Sequence, residues 1–66
     1  MENLRRLREA AGLTQMELSS RVGVTQAALS AFELGTAFPS LATAVRLADA
    51  LDASIDELLG RKQAGL

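Results

Sequence analysis

The chain has 66 residues, 48% of them hydrophobic and 23% charged, with a formal net charge of −1 and an isoelectric point near 5.2. That length admits one domain, near the lower limit for a core that folds unaided, and the composition suits a packed domain better than a disordered segment. With no Cys and no His, disulfides, the usual zinc sites and the common nucleophile–base pairs are excluded, and the acidic balance runs against the basic footprint of most nucleic-acid binders.

The N-terminal stretch MENLRRLREAAG is charged and amphipathic. It lacks the uninterrupted apolar run of a signal peptide, and no later stretch approaches a membrane span, so a cytoplasmic protein without a membrane partner is expected. Leu4, Leu7 and Ala11 recur at three- and four-residue steps and form one face of a first helix that stops at Gly12. "TQME", Thr14 to Glu17, is a capping box: a hydroxyl accepts from the backbone three residues on, and the Glu there answers the cap's own N–H. It opens a second helix, from Gln15 to about Val22, ended by Gly23. Thr25 caps a third, from Gln26 to about Leu34, ended by Gly35.

Pro39 lies outside the helices, just before the Ser40 cap of a fourth helix spanning Leu41 to Leu51. "SIDE", Ser54 to Glu57, is a second capping box and opens a short fifth helix, Ile55 to Leu59, before Gly60. Apolar pairs flank three of the caps at staple spacing: Leu13 with Leu18, Val24 with Leu29, and Ala53 with Leu58. Such staples fix the angle at which the chain turns into each helix. The expected fold is therefore all-α, a compact five-helix bundle. Its expected core is Leu4, Leu7, Leu13, Leu18, Val22, Val24, Leu29, Phe32, Leu41, Leu47, Ala48, Leu51, Ile55 and Leu58, with Phe38 folding back onto it. This single folded domain is expected over residues 1–60, followed by a short tail, 61–66. In that tail Arg61 and Lys62 suit the negative end of a helix dipole.

The informative segment runs from Leu13 to Gly35, LTQMELSSRVGVTQAALSAFELG. Two short capped helices joined by a tight turn at Gly23 describe a helix-turn-helix, whose second helix can project its first turn into a major groove. Helical hairpins of this kind also occur as simple packing units, and the spacing alone leaves both readings open.

Together, "LRRLREAAGLTQMELSSRVGVTQ", "LSAFELG" and "PSLATAVRLADALDASIDELL" resemble the Cro/phage-repressor type of helix-turn-helix domain, also called the XRE family. The resemblance covers Leu4 to Leu59 and implies a lambda-repressor-like bundle that binds double-stranded DNA as a homodimer. It implies that Gln26 makes a bidentate contact with adenine N6 and N7, since an amide both donates and accepts. Gln15 would touch a phosphate and hold Gln26 in its reading rotamer. By helical phase Ala27, Ser30 and Ala31 share the outward face with Gln26, while Leu29 and Phe32 turn inward. Ala27 and Ala31 suit a thymine methyl, and Ser30 a base edge or a phosphate; the two alanines are equally accounted for as small exposed residues that favour helix. The resemblance also implies that Arg8 pairs with Glu33 and aims the third helix without touching DNA.

The chain departs from the family in its charge. Many relatives carry Lys or Arg in the third helix and the following loop, whereas no basic residue occurs here between Val22 and Val45. Backbone contacts are thus expected from helix amides, from Thr14, Gln15, Thr25, Thr36 and Ser40, and from Arg5, Arg6 or Arg21 if they lie near the phosphates. A weak monomer, a shallow salt dependence and a need for dimerisation follow.

Asp49, Asp52, Asp56 and Glu57 form no compact oxygen-ligand loop, so capping and a solvated face account for them, and neither metal nor cofactor is expected. No small-molecule ligand is evident. Without His, Cys or Tyr the hydroxyls have no evident base, so enzymatic function is not expected. Two functions remain. The first is a transcriptional regulator, a repressor, reading a palindromic operator through its third helix. The second is a protein-interaction module, antitoxin-like or anti-repressor, that keeps the fold with weak or no DNA binding and uses Leu34 and Phe38 as its contact patch.

Overall fold

The computed structural model describes residues 1–60; the expected tail with Arg61 and Lys62 lies outside the described residues. Five helices follow in order: α1 (Leu4–Ala10), α2 (Gln15–Val22), α3 (Gln26–Leu34), α4 (Leu41–Ala50) and α5 (Ile55–Leu59). Among the described residues there is no strand, and no helix is long and apolar enough to cross a membrane. α2 packs against α3 and α4, while α1 bridges α3 and α5.

Three of the four helix junctions use one device. The residues Gly12-Leu13-Thr14, Gly23-Val24-Thr25 and Asp52-Ala53-Ser54 each begin in the left-handed region, with φ of 74°, 77° and 51°. The apolar second residue then donates its N–H five residues back: Leu13 to Arg8, Val24 to Ser19, and Ala53 to Ala48. The third residue is the N-cap of the next helix, and its hydroxyl accepts from the amide three positions on. One triplet thus ends a helix, buries an apolar anchor and starts another helix. At 52 an Asp takes the place of Gly, which a short polar side chain tolerates better than a branched one. α4 accordingly stops at Ala50 with Leu51 as its cap, one residue short of the sequence expectation. α1 likewise stops at Ala10, leaving Ala11 exposed rather than on the buried face.

Leu4, Leu18, Leu29, Leu47 and Leu58 are fully buried and define the core with Val22, Phe32 and Ala48. Leu7, Leu13, Val24, Leu51 and Ile55 pack partly buried around it. Leu41 is a correction: as the first residue of α4 it is 74% exposed. Phe38 is another, at 67% exposed; its loop carries it outward rather than back onto the core. In their place the core takes Ala44 and Met1. Met1 comes inside because residues 1–3 strap α3 to α5: its ammonium donates to the Phe32 carbonyl at 2.7 Å, and Asn3 donates to the carbonyls of Leu58 and Glu57. The strap runs so close to Gly60 that a Cβ there would lie 3.2 Å from the Glu2 carboxylate.

Candidate nucleic-acid interface

α3 is positioned from its beginning by the Gly23-Val24-Thr25 turn and from its interior by Leu29 and Phe32. What this leaves outside is Gln26 and Ala27, both exposed, with Ser30 and Ala31 half-buried along the same side. Among the described residues the Gln26 amide makes no side-chain hydrogen bond, so its donor and acceptor are both open. Ala28 is half-buried and packs toward the core.

The C-terminal part of α3 is held by a side-chain cluster. Arg8 Nε donates to Glu33 Oε2 at 2.6 Å, and Arg8 also donates to Glu33 Oε1 at 3.4 Å and to the Leu13 carbonyl at 2.8 Å. The two side chains are 10% and 4% exposed. One guanidinium thereby ties the end of α1, the approach to α2 and the last turn of α3. The Glu33 hydrogen bond raises the Arg8 pKa above its already high value, so the guanidinium stays charged. Gln15 completes the cluster by donating from Nε2 to Glu33 Oε1 at 2.9 Å. Its amide is therefore engaged with Glu33 and not with Gln26, a contact between residues 18 apart that no local pattern announces.

The two helix beginnings on this side differ in charge. At α2 the Thr14 amide is taken by the Glu17 carboxylate at 2.8 Å, and that backbone bond holds the Glu17 pKa below the ordinary carboxylate value. α3 has no acid in its first turn, so its leading N–H groups meet no carboxylate of their own helix and favour an anion. The hydroxyls also sort. Those of Thr14 and Thr25 accept from amides, which leaves each its hydrogen to give. Thr36 and Ser40 already point theirs at the Ala31 carbonyl and at Thr43. Between α1, the start of α2 and α3 lies an open cleft of about 370 Å³, lined by Arg5, Arg8, Gln15, Ser30, Glu33 and Leu34. Leu34 and Phe38 stand exposed beside a second hollow that Met1 and Leu59 also line. Among the described residues no cluster of acidic side chains could hold a metal ion.

Comparison with known proteins agrees with this architecture. Residues 2–59 match the family described as helix-turn-helix domain. An uncharacterized HTH-type transcriptional regulator of Bacillus subtilis (strain 168), YqaE, is 38% identical over 58 residues, 88% of this chain and 50% of that protein. The cryptic phage CTXphi transcriptional repressor RstR of Vibrio cholerae serotype O1 is 37% identical over 60 residues, covering 91% of this chain and 54% of its own length. An uncharacterized HTH-type transcriptional regulator of Methanothermobacter thermautotrophicus is 50% identical over 48 residues, 73% of this chain and 70% of that protein. The chain spans about half the length of the first two relatives. With two capped helices set across a Gly23 turn and a match that covers nearly every described residue, the chain belongs to the helix-turn-helix domain family.

Proposed function

We propose that the protein is a sequence-specific DNA-binding transcriptional regulator of the Cro/phage-repressor type, acting as a repressor on a palindromic operator. The observation that carries this is the exposed, unbonded Gln26 on the first turn of a helix fixed at both ends. Laid in a major groove, that turn offers adenine an amide, with Ala27 and Ala31 beside it for a thymine methyl and Ser30 for a base edge or phosphate. Thr14 and Thr25 give their free hydroxyl hydrogens to the backbone. Gln15 retains one amide hydrogen for the same use, and Thr36 and Ser40 reach it only by exchanging their present partners.

Charge sets the affinity. With Arg8 neutralised by Glu33, one monomer brings few cations to the duplex, and a homodimer on a two-fold site supplies what one copy lacks. The α4–α5 side, with Val45 exposed and Leu59 half-buried, is the surface we assign to that dimer. Selection of bound duplexes from a random library tests the reading. A palindrome should emerge, and Gln26→Ala should lose about 1–3 kcal/mol of discrimination at one adenine per half-site. No enriched palindrome, or binding indifferent to Gln26, overturns it.

The outward Phe38 and Leu34 favour a second reading, in which the domain binds a protein partner through this apolar patch. Loss of DNA selection together with retained folding would support that alternative.

A further inference from the structure

We propose that Arg5 is the principal phosphate-neutralising side chain of this domain, seated at the mouth of the α1–α3 cleft and held in reserve by Glu9. The inference rests on the DNA-binding reading and names the group that supplies its missing charge.

Positive charge is confined to a few places in the described chain. No Lys or Arg occurs between Val22 and Val45, so α3 and the connection after it bring none. Of the described arginines Arg8 is buried against Glu33, and the exposed ones are Arg5, Arg6, Arg21 and Arg46. Among these Arg5 is the one that lines the cleft with Gln15 and Ser30. Arg6 instead donates from Nε to the Asn3 side chain, on the strap side of α1.

Donor accounting gives the cleft its chemistry. Arg5 uses Nε on Glu9 Oε2, at 3.2 Å, and its terminal nitrogens are open. Gln15 has given one amide hydrogen to Glu33 and keeps the other; Ser30 Oγ makes no hydrogen bond among the described residues. Glu33 lines the same cleft, yet both its oxygens already accept from Arg8, so it repels an incoming anion little. A planar guanidinium with two free nitrogens beside an amide and a hydroxyl matches the paired oxygens of a backbone phosphodiester. The Arg5–Glu9 pair is open to water, with side chains 70% and 55% exposed. Exposed pairs of this kind are weak, so a phosphate can replace the carboxylate on Arg5.

The test uses the full chain and two probes, the selected duplex and a scrambled duplex of equal length, titrated over a salt series. Arg5→Gln keeps most of the stem and removes the charge. It should reduce the salt slope by about 0.9 per protomer on both duplexes, while Arg46→Ala, outside the cleft, leaves the slope at its wild-type value. Glu9→Gln should tighten binding about twofold, and this gain should vanish in the Arg5→Gln background. An unchanged slope in Arg5→Gln, an equal change in Arg46→Ala, or a Glu9→Gln gain that survives without Arg5 overturns the assignment while the DNA-binding reading stands. A wild-type chain that binds neither duplex overturns both.

Discussion

The two ends of α3 are fixed by different means. At its start a three-residue connector, Gly23-Val24-Thr25, sets the backbone through a left-handed glycine, a partly buried apolar anchor and a hydroxyl cap. At its end the chain leaves through the longer connection 35–40, where Phe38 is exposed and Ser40 caps α4. There the helix is held from within its last turn, by Glu33 on Arg8 and Gln15. Backbone geometry therefore aims the end that would meet bases, and a buried ion pair restrains the end that would not. A short connector carries its own orientation in adjacent residues, whereas a long one must borrow it from elsewhere in the fold.

The greatest disruption should come from removing the borrowed restraint. Arg8→Ala strands a carboxylate that is 4% exposed and should cost about 3–5 kcal/mol of unfolding free energy in urea titration. For a chain this short that approaches complete unfolding. Replacing both partners by apolar residues, Arg8→Met with Glu33→Leu, should restore much of the loss. A single Arg8→Ala that unfolds like the wild type would show the connector to be sufficient.

Breaking the other end costs less. Gly23→Ala meets no atom within 4 Å, yet φ is +77°, so the penalty is backbone strain of about 1–2 kcal/mol, readable as a lower midpoint. The neighbouring cap adds a pH signature. The folded pKa of Glu17 is lowered by the Thr14 backbone bond from an ordinary value of 4.5. Its contribution is thus present above about 4.5 and lost as pH falls through the lower folded value. Glu17→Gln should flatten that part of the stability–pH curve by lowering stability at neutral pH, while leaving stability below the folded pKa nearly unaffected. Smallest of all, Phe38→Ser in the long connection should change stability by no more than about 0.5 kcal/mol. A larger loss would mean that this connection restrains α3 after all.

How much of this was legible in the sequence follows the same division. Every cap came from adjacent residues: Thr14 and Glu17, Thr25, Ser40, and Ser54 with Glu57. Each is a bond across three positions, and such bonds are written locally. Leu41 and Phe38 depart from the sequence expectation because apolar spacing identifies a face without saying whether anything covers it. Met1 was missed because a single residue ahead of a helix has no period. The pairing of Arg8 with Glu33, 25 apart, follows from the sequence only through family resemblance, and the tie of Gln15 to Glu33 is visible only in the folded structure. At the candidate site the exposed Gln26 was legible by helical phase, whereas the cleft that joins Arg5 to Ser30 was not, since it spans two helices distant in sequence.

The strap formed by residues 1–3 has a consequence for the order of folding. Three helix junctions need only neighbouring residues, and a chain so rich in local contacts should fold in microseconds to milliseconds. The strap instead joins Met1 to Phe32 and Asn3 to Leu58, across separations of 31 and 55 residues. Among the described residues it closes the longest hydrogen-bonded loops, and it should be among the last parts to form. Removing the Asn3 side chain, and with it the bond its amide donates to the Glu57 carbonyl, should then speed unfolding and leave the refolding rate nearly unchanged, a partition that stopped-flow measurements would read directly.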